Sequence, residues 1–173
     1  MQFHSSMRSK SSDTICTPPD LLRHIHNWHP IGLDPCSNMR SLVDARIEYS
    51  LEDGQNGLEE PWQVLTPHEI GYINPPFSDI GPWFRKGDDS YQPNTFIRRS
   101  RYGKGYLFLT LSDPTTEYFN FAWHTSNGIS LCKKRIKFVG MKSGASFQCM
   151  FVYYGPDKSF AGHFGGELGY IVR

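Results

Sequence analysis

No strand of a sheet can run through Asn74-Pro75-Pro76, and that interruption limits the folds open to this chain more than any other feature. Two successive prolines remove two backbone donors and each fixes its own φ, so a hydrogen-bonded ladder must end there. The residues just before them, Gly71-Tyr72-Ile73, form a short apolar run of the kind found in buried strands. The combination predicts a buried strand that stops abruptly in a stiff loop whose carbonyl oxygens point outward without partners. Phe77 closes the tetrapeptide with a flat ring face on which a planar group can stack.

Other segments sort by periodicity and by breakers. Thr17-Pro18-Pro19 interrupts the chain, and Asp20 is placed to cap a helix to about Trp28, with Leu21, Leu22 and Ile25 on one face. Ile31-Gly32-Leu33 reads as a brief strand leading into Asp34-Pro35, and a helix is expected over 39–46. Residues 52–61, with Gly54, Gly57 and Pro61, read as a loop, and 80–85 as a short helix or turn. Tyr106–Leu111 is the clearest buried strand, and Asp113 or Thr115 is placed to cap a helix reaching about His124. Strands are expected at 129–131, 135–139 and 147–154, then a helical turn at 160–164 and a last strand at 170–172. This alternation predicts an α/β fold: a mainly parallel sheet, helices on both faces, and antiparallel strands toward the C-terminus. Residues 1–12 are expected as an untethered tail, 13–173 as one domain, and 87–104 as an extended, mobile basic loop.

Composition excludes several classes. With 173 residues, 38% of them hydrophobic and 14% aromatic, the chain suits one packed core rather than disorder. Its apolar runs fall short of the roughly 20 residues of a spanning helix, and no basic-then-apolar leader opens it, so a cytoplasmic protein without a membrane partner is expected. A net charge of +1, from 18 basic and 17 acidic residues, rules out a uniformly basic coat. Two local clusters remain: Arg98, Arg99, Arg101 and Lys104, then Lys133, Lys134, Arg135 and Lys137. Cys16, Cys36, Cys132 and Cys149 include no C-x-x-C pair, which argues for reduced thiols and against zinc. His24, His26 and His29 lack a further ligand set and read as surface or capping residues, so no metal is expected.

The chemistry lies in the tetrapeptide. The Asn74 side-chain oxygen and the Pro75 carbonyl can both accept from one NH₂ group while Phe77 stacks on the plane that carries it. An aromatic amine is a weak nucleophile because its lone pair is delocalised into the ring. Two acceptors that hold its hydrogens out of plane return electron density to nitrogen, and direct displacement on a sulfonium methyl becomes accessible.

Five pieces then occur in order: Thr17-Pro18-Pro19 with Leu21; Leu33-Asp34-Pro35-Cys36-Ser37-Asn38; Asn56-Gly57-Leu58 followed by Trp62; Tyr72-Ile73-Asn74-Pro75-Pro76-Phe77-Ser78; and Arg135-Ile136-Lys137-Phe138. Together they resemble the phage-type DNA adenine-N6 methyltransferase family, from about Asp13 to the C-terminus. The resemblance implies a Rossmann-like methyltransferase fold with S-adenosylmethionine at the carboxyl ends of the strands. It implies that Asp34 accepts from the methionine amino group or orders water around it, within a pocket formed with Pro35, Cys36, Ser37 and Asn38. Thr17 and Pro18 would cover the methionyl part, and Asp53 or Asn56 would reach the ribose or adenine. The glycine-rich turn of many methyltransferases is absent, since Cys36-Ser37-Asn38 holds no glycine.

An adenine amine lies inside the duplex, so such an enzyme must flip the base or work on single strands. Phosphate contacts would hold the distorted strand, and Arg98, Arg99, Arg101 and Lys104 stand as candidates beside the plain reading of a solvated basic loop. For Lys133, Lys134 and Lys137 the plain reading of solvent-facing strand positions is preferred. The setting is then a bacterial or phage-infected cell. Two alternatives stay open: another planar amine (RNA adenine or guanine, or protein glutamine), and a degenerate non-catalytic DNA-binding relative, which the missing glycine turn motivates.

Overall fold

Burial runs along β1 (Ile31–Ser37), β3 (Ile70–Ile73), β4 (Tyr106–Leu111), β5 (Gly128–Cys132) and β6 (Cys149–Tyr154), broken only by the half-buried Cys36 and Leu131. Strands buried on both sides of the pleat need a covering layer above and below. The computed structural model, which describes residues 15–91 and 103–173, supplies both layers. With β2 (Ile47–Ser50) and β7 (Gly169–Ile171) these strands make one seven-stranded mixed sheet in the order β2-β1-β3-β4-β6-β5-β7. The β2-β1-β3-β4 part is parallel, and β6 lies antiparallel between β4 and β5, with β7 antiparallel beyond.

Consecutive residues of a strand face opposite sides, and β6 shows which helices lie where. Tyr154 shares one side with Phe108, whose ring lies 4.8 Å from Phe84 of α2 (Gly81–Ser90), and its hydroxyl meets Thr125 of α3 (Glu117–Thr125) at 2.9 Å. Tyr153 faces the other way, 5.1 Å from Trp28 of α1 (Pro19–Trp28) and 5.3 Å from Phe160 of α4 (Phe160–Phe164). Among the described residues the fold is therefore a three-layer α/β arrangement with two helices on each face.

A bidentate ion pair closes one end of this sheet. Arg46, just before β2, donates through Nε and Nη2 to Glu69, just before β3, at 2.8 and 2.7 Å. The two residues bracket β1, where Gly32 must lack a side chain because a Cβ would lie 2.3 Å from the Glu69 carboxylate.

Several elements differ from expectation for identifiable reasons. No helix forms over 39–46. There Asn38 accepts from the Arg40 N–H at 2.9 Å, Ser41 turns its hydroxyl to Asp34 at 3.3 Å, and Asp44 sits at φ 55°, so side chains take up the bonding a helix would use. β2, absent from the sequence reading, follows that loop. α2 runs through Ser90, four residues into the expected 87–104 loop, because Trp83, Phe84, Gly87 and Ser90 are buried at helical spacing. Residues 135–139 form no strand and keep only a bridge between Val139 and Cys16. α1 begins with Pro19 at its first position instead of an Asp20 cap, and Asp20 pairs with Arg23 at 3.1 Å. For α3 the cap is Thr116, whose hydroxyl accepts from the Phe119 N–H at 3.3 Å. The expected tail, 1–12, lies outside the described residues.

Candidate functional site

The strand order reverses at β1: the chain passes from β1 to β2 on one side, then crosses to β3 on the other. In open parallel sheets such a reversal leaves a crevice at the carboxyl ends of the two diverging strands. Here β1 carries Asp34 through Ser37 toward that edge, and β3 ends at Ile73, one residue before Asn74. A cavity of about 170 Å³ lies between them, lined by Thr17, Asp34, Pro35, Cys36, Ser37, Asn38, Glu52, Gln55, Asn56, Asn74 and Pro76 among others.

Asp34 is 3% exposed, and one oxygen accepts from the Cys36 N–H at 3.0 Å while the other takes the Ser41 hydroxyl at 3.3 Å. Burial, with the Glu48 carboxylate beside it in register on β2, pushes its pKa up to about 7. Glu48 is held in turn by the Ser37 hydroxyl at 2.8 Å and the Ala45 N–H at 3.2 Å. Burial also holds the Cys36 thiol well above its ordinary range, so this cysteine is a neutral wall and no nucleophile. Thr17 Oγ1 and the Tyr72 hydroxyl lie 2.7 Å apart, tying the 15–18 segment to β3.

Asn74 carries the feature with the clearest chemical meaning. Its Nδ2 donates to the Ile15 carbonyl at 3.2 Å, while its Oδ1 is buried with no donor. A buried acceptor left open costs about 1–3 kcal/mol, so a site that keeps one invites a ligand donor.

Not every expected residue reaches this cavity. Pro18, Asp53, Pro75 and Phe77 are not among its lining, whereas Glu52, Gln55 and Asn56 are. Of Asp53 and Asn56, Asn56 is the one that lines the cavity, and its own Oδ1 accepts from the Leu58 N–H at 3.1 Å. Phe77 does not offer a free face: it is 2% exposed, edge-on to Phe147 at 5.3 Å and to Phe138 at 6.0 Å. Its ring anchors the 133–148 segment over the carboxyl edge of the sheet instead. Arg98, Arg99 and Arg101 lie outside the described residues. Lys104 stands at the opposite edge, where its N–H donates to the Glu69 carbonyl just before β3, away from the cavity.

Glu52 escaped the sequence reading because β2 did. An acidic residue just past the second strand is the available signal, since ribose-binding carboxylates occupy such places in doubly wound sheets. The glycine that matters also lies elsewhere than expected. Gly57 sits so close to β1 that a Cβ would fall 1.8 Å from the Pro35 carbonyl oxygen, and this contact shapes the wall between Asn56 and Pro35. The histidines each hold α1 in place: His24 to the His163 carbonyl, His26 to the Val43 carbonyl, and His29 to Asp157 at 2.8 Å. Among the described residues no cluster of histidine, cysteine and acidic side chains could hold a metal, and no helix is long and apolar enough to cross a membrane.

Compared with protein-family models, curated proteins and solved structures, the chain gives no match.

Proposed function

We propose that this chain is an S-adenosylmethionine-dependent methyltransferase of Rossmann-like fold that methylates the exocyclic amine of adenine in DNA, within a bacterial or phage-infected cell. The observation that carries the reading is the buried, donorless Oδ1 of Asn74, a residue that lines the same cavity as Asp34. An NH₂ group is the donor such an oxygen lacks, and the stiff Pro75-Pro76 backbone puts a second acceptor, the Pro75 carbonyl, next along the chain.

The residues present suit the cofactor. Asp34, poised near neutrality, would take the ammonium of its methionyl part. Glu52 and Asn56 would face the ribose hydroxyls, and Leu51, 77% exposed at the cavity wall, would offer an apolar surface to the base. Bound there, S-adenosylmethionine supplies an electrophilic methyl on a sulfonium.

The chain's own contribution is positional. The bond from Asn74 Nδ2 to Ile15 fixes which end of the amide receives the substrate. With both acceptors engaged, the amine lone pair would be held out of ring conjugation and free to meet the electrophilic methyl that the cofactor would supply, and one N–H proton would leave to solvent. No covalent enzyme intermediate is required. The choice of DNA adenine over other planar amines rests on the five-motif resemblance.

The test is transfer of labelled methyl to mixed DNA, with RNA and protein acceptors in parallel. N6-methyladenine in DNA is the expected product. Label in RNA or glutamine would redirect the acceptor, and none anywhere would overturn the assignment.

A further inference from the structure

A second concavity, of about 550 Å³, lies beside the first. Its floor is apolar, with Pro18, Leu21, Ile136, Phe151 and Leu168, and its rim carries Lys134, Arg135 and Lys137. Thr17 lines the first cavity and Pro18 the second, so consecutive residues of the chain border the two. β5 runs parallel to β4, because both pair antiparallel with β6. The segment after Cys132 therefore emerges at the carboxyl edge, the edge at which β3 ends just before Asn74. Its position there is held by the Val139 N–H bond to the Cys16 carbonyl at 2.9 Å and by Phe138 against Phe77.

The cations on this rim are exposed, and among the described residues none of the three forms an ion pair. Of the two carboxylates beside them, Asp20 is engaged by Arg23 at 3.1 Å, leaving Glu167 against three positive charges. Neighbouring Lys133 is different: its Nζ donates to the Gly166 carbonyl and lies 4.6 Å from the Tyr170 ring centre, so it is a structural clasp. An apolar floor with an uncompensated cationic rim complements a base and its phosphates.

We propose that this groove, between the start of α1 and residues 134–137, seats the nucleic-acid strand that carries the target base, with its phosphates on Lys134, Arg135 and Lys137. It rests on the reading of Asn74 as the grip on that base. Phosphate contacts are thereby assigned to the edge of the sheet where the cavity opens, while Arg98, Arg99 and Arg101 lie outside the described residues.

The experiment measures binding of labelled oligonucleotides, single-stranded and duplex, to the full chain across a salt series. Each lost phosphate contact lowers the slope of log affinity against log salt by about 0.9 on duplex and about 0.7 on single strands. The combined variant Lys134→Gln, Arg135→Gln, Lys137→Gln is expected to lose a slope of about 2–3 and to bind about tenfold or more weakly at low salt. Its melting temperature and its calorimetric affinity for S-adenosylmethionine should stay at wild-type values, and Lys158→Gln should keep the full slope. The groove assignment falls if the triple variant keeps wild-type slope and affinity, if neutralising Arg98, Arg99 and Arg101 removes the slope instead, or if wild type binds neither form. Methyl transfer is scored separately. Transfer by wild type with an unchanged slope in the variant removes the groove and leaves Asn74. Salt-dependent binding lost in the variant, without transfer by wild type, removes the catalytic reading and leaves the binding surface.

Discussion

Asn74 and Ile15 are joined by one hydrogen bond, from the Asn74 Nδ2 to the Ile15 carbonyl at 3.2 Å, between residues 59 positions apart. That bond commits the donating end of the amide to the protein and leaves the accepting end free, so the segment before α1 helps define the site at the end of β3.

Replacing Asn74 separates these two ends. Asn74→Ala removes the acceptor, and methyl transfer is expected to fall on the order of 10²–10³-fold, as when one preorganised dipole is lost elsewhere. Asn74→Asp keeps an acceptor but loses the bond to Ile15, and a rate between wild type and Asn74→Ala is expected. Single-turnover rates on one DNA substrate make the comparison, and equal rates for wild type and Asn74→Ala would count against the site.

The Asp34 pKa of about 7 stands above its ordinary 3.8, so the native chain keeps a proton that the unfolded chain has already lost. This contribution to stability is fully present below about pH 4 and declines as pH rises to about 7, at up to roughly 1.4 kcal/mol per pH unit. Asp34→Asn should flatten urea-denaturation stability across that window. A ligand ammonium should favour the ionised form, so S-adenosylmethionine binding should tighten as pH rises toward 7 and release a proton. Calorimetry in two buffers of different ionisation enthalpy reads that proton, and its absence would separate Asp34 from the ligand.

Glu69 behaves with the opposite sign. Hydrogen bonds from Arg46 pull its pKa down to about 2 from an ordinary 4.5, so its contribution is present above about pH 4.5 and is lost as pH falls toward 2. Glu69→Gln is expected to cost about 2 kcal/mol at pH 7, the scale of a hydrogen bond to a charged group, and much less at pH 2. Denaturant midpoints at the two pH values test it; a pH-independent loss would show that the ion pair is not the cause.

Gly57→Ala probes the cavity wall without touching a polar group. A Cβ there would overlap the Pro35 carbonyl oxygen, so the 56–57 backbone must move away from β1. Weaker S-adenosylmethionine binding, by about tenfold or more (~1.4 kcal/mol), is expected by calorimetry. Unchanged affinity would mean that this wall does not contact the ligand.

The elements legible in the sequence were those whose causes are local. Two prolines end β3 whatever surrounds them, and the apolar run of β4 and the turn at Phe160–Phe164 carry their own signals. β2 was not legible because a four-residue edge strand with Ile47 and Glu48 partly or fully exposed has no periodicity of its own. Within the site, the 34–38 segment and Asn74 were readable as a set, while Glu52 depended on finding β2.

Alone, the sequence determined that a buried strand stops at Asn74 and that Asp34 follows another apolar run. Tertiary structure decided what faces what. Pairing β1 with both β2 and β3 brings Asp34 and Asn74 to one crevice. The same topology carries Lys104 to the far edge and residues 134–137 to the near one, and folds the Phe77 ring inward against Phe138. Those outcomes depend on strand order and on contacts between residues far apart in the chain, which no local pattern of side chains encodes.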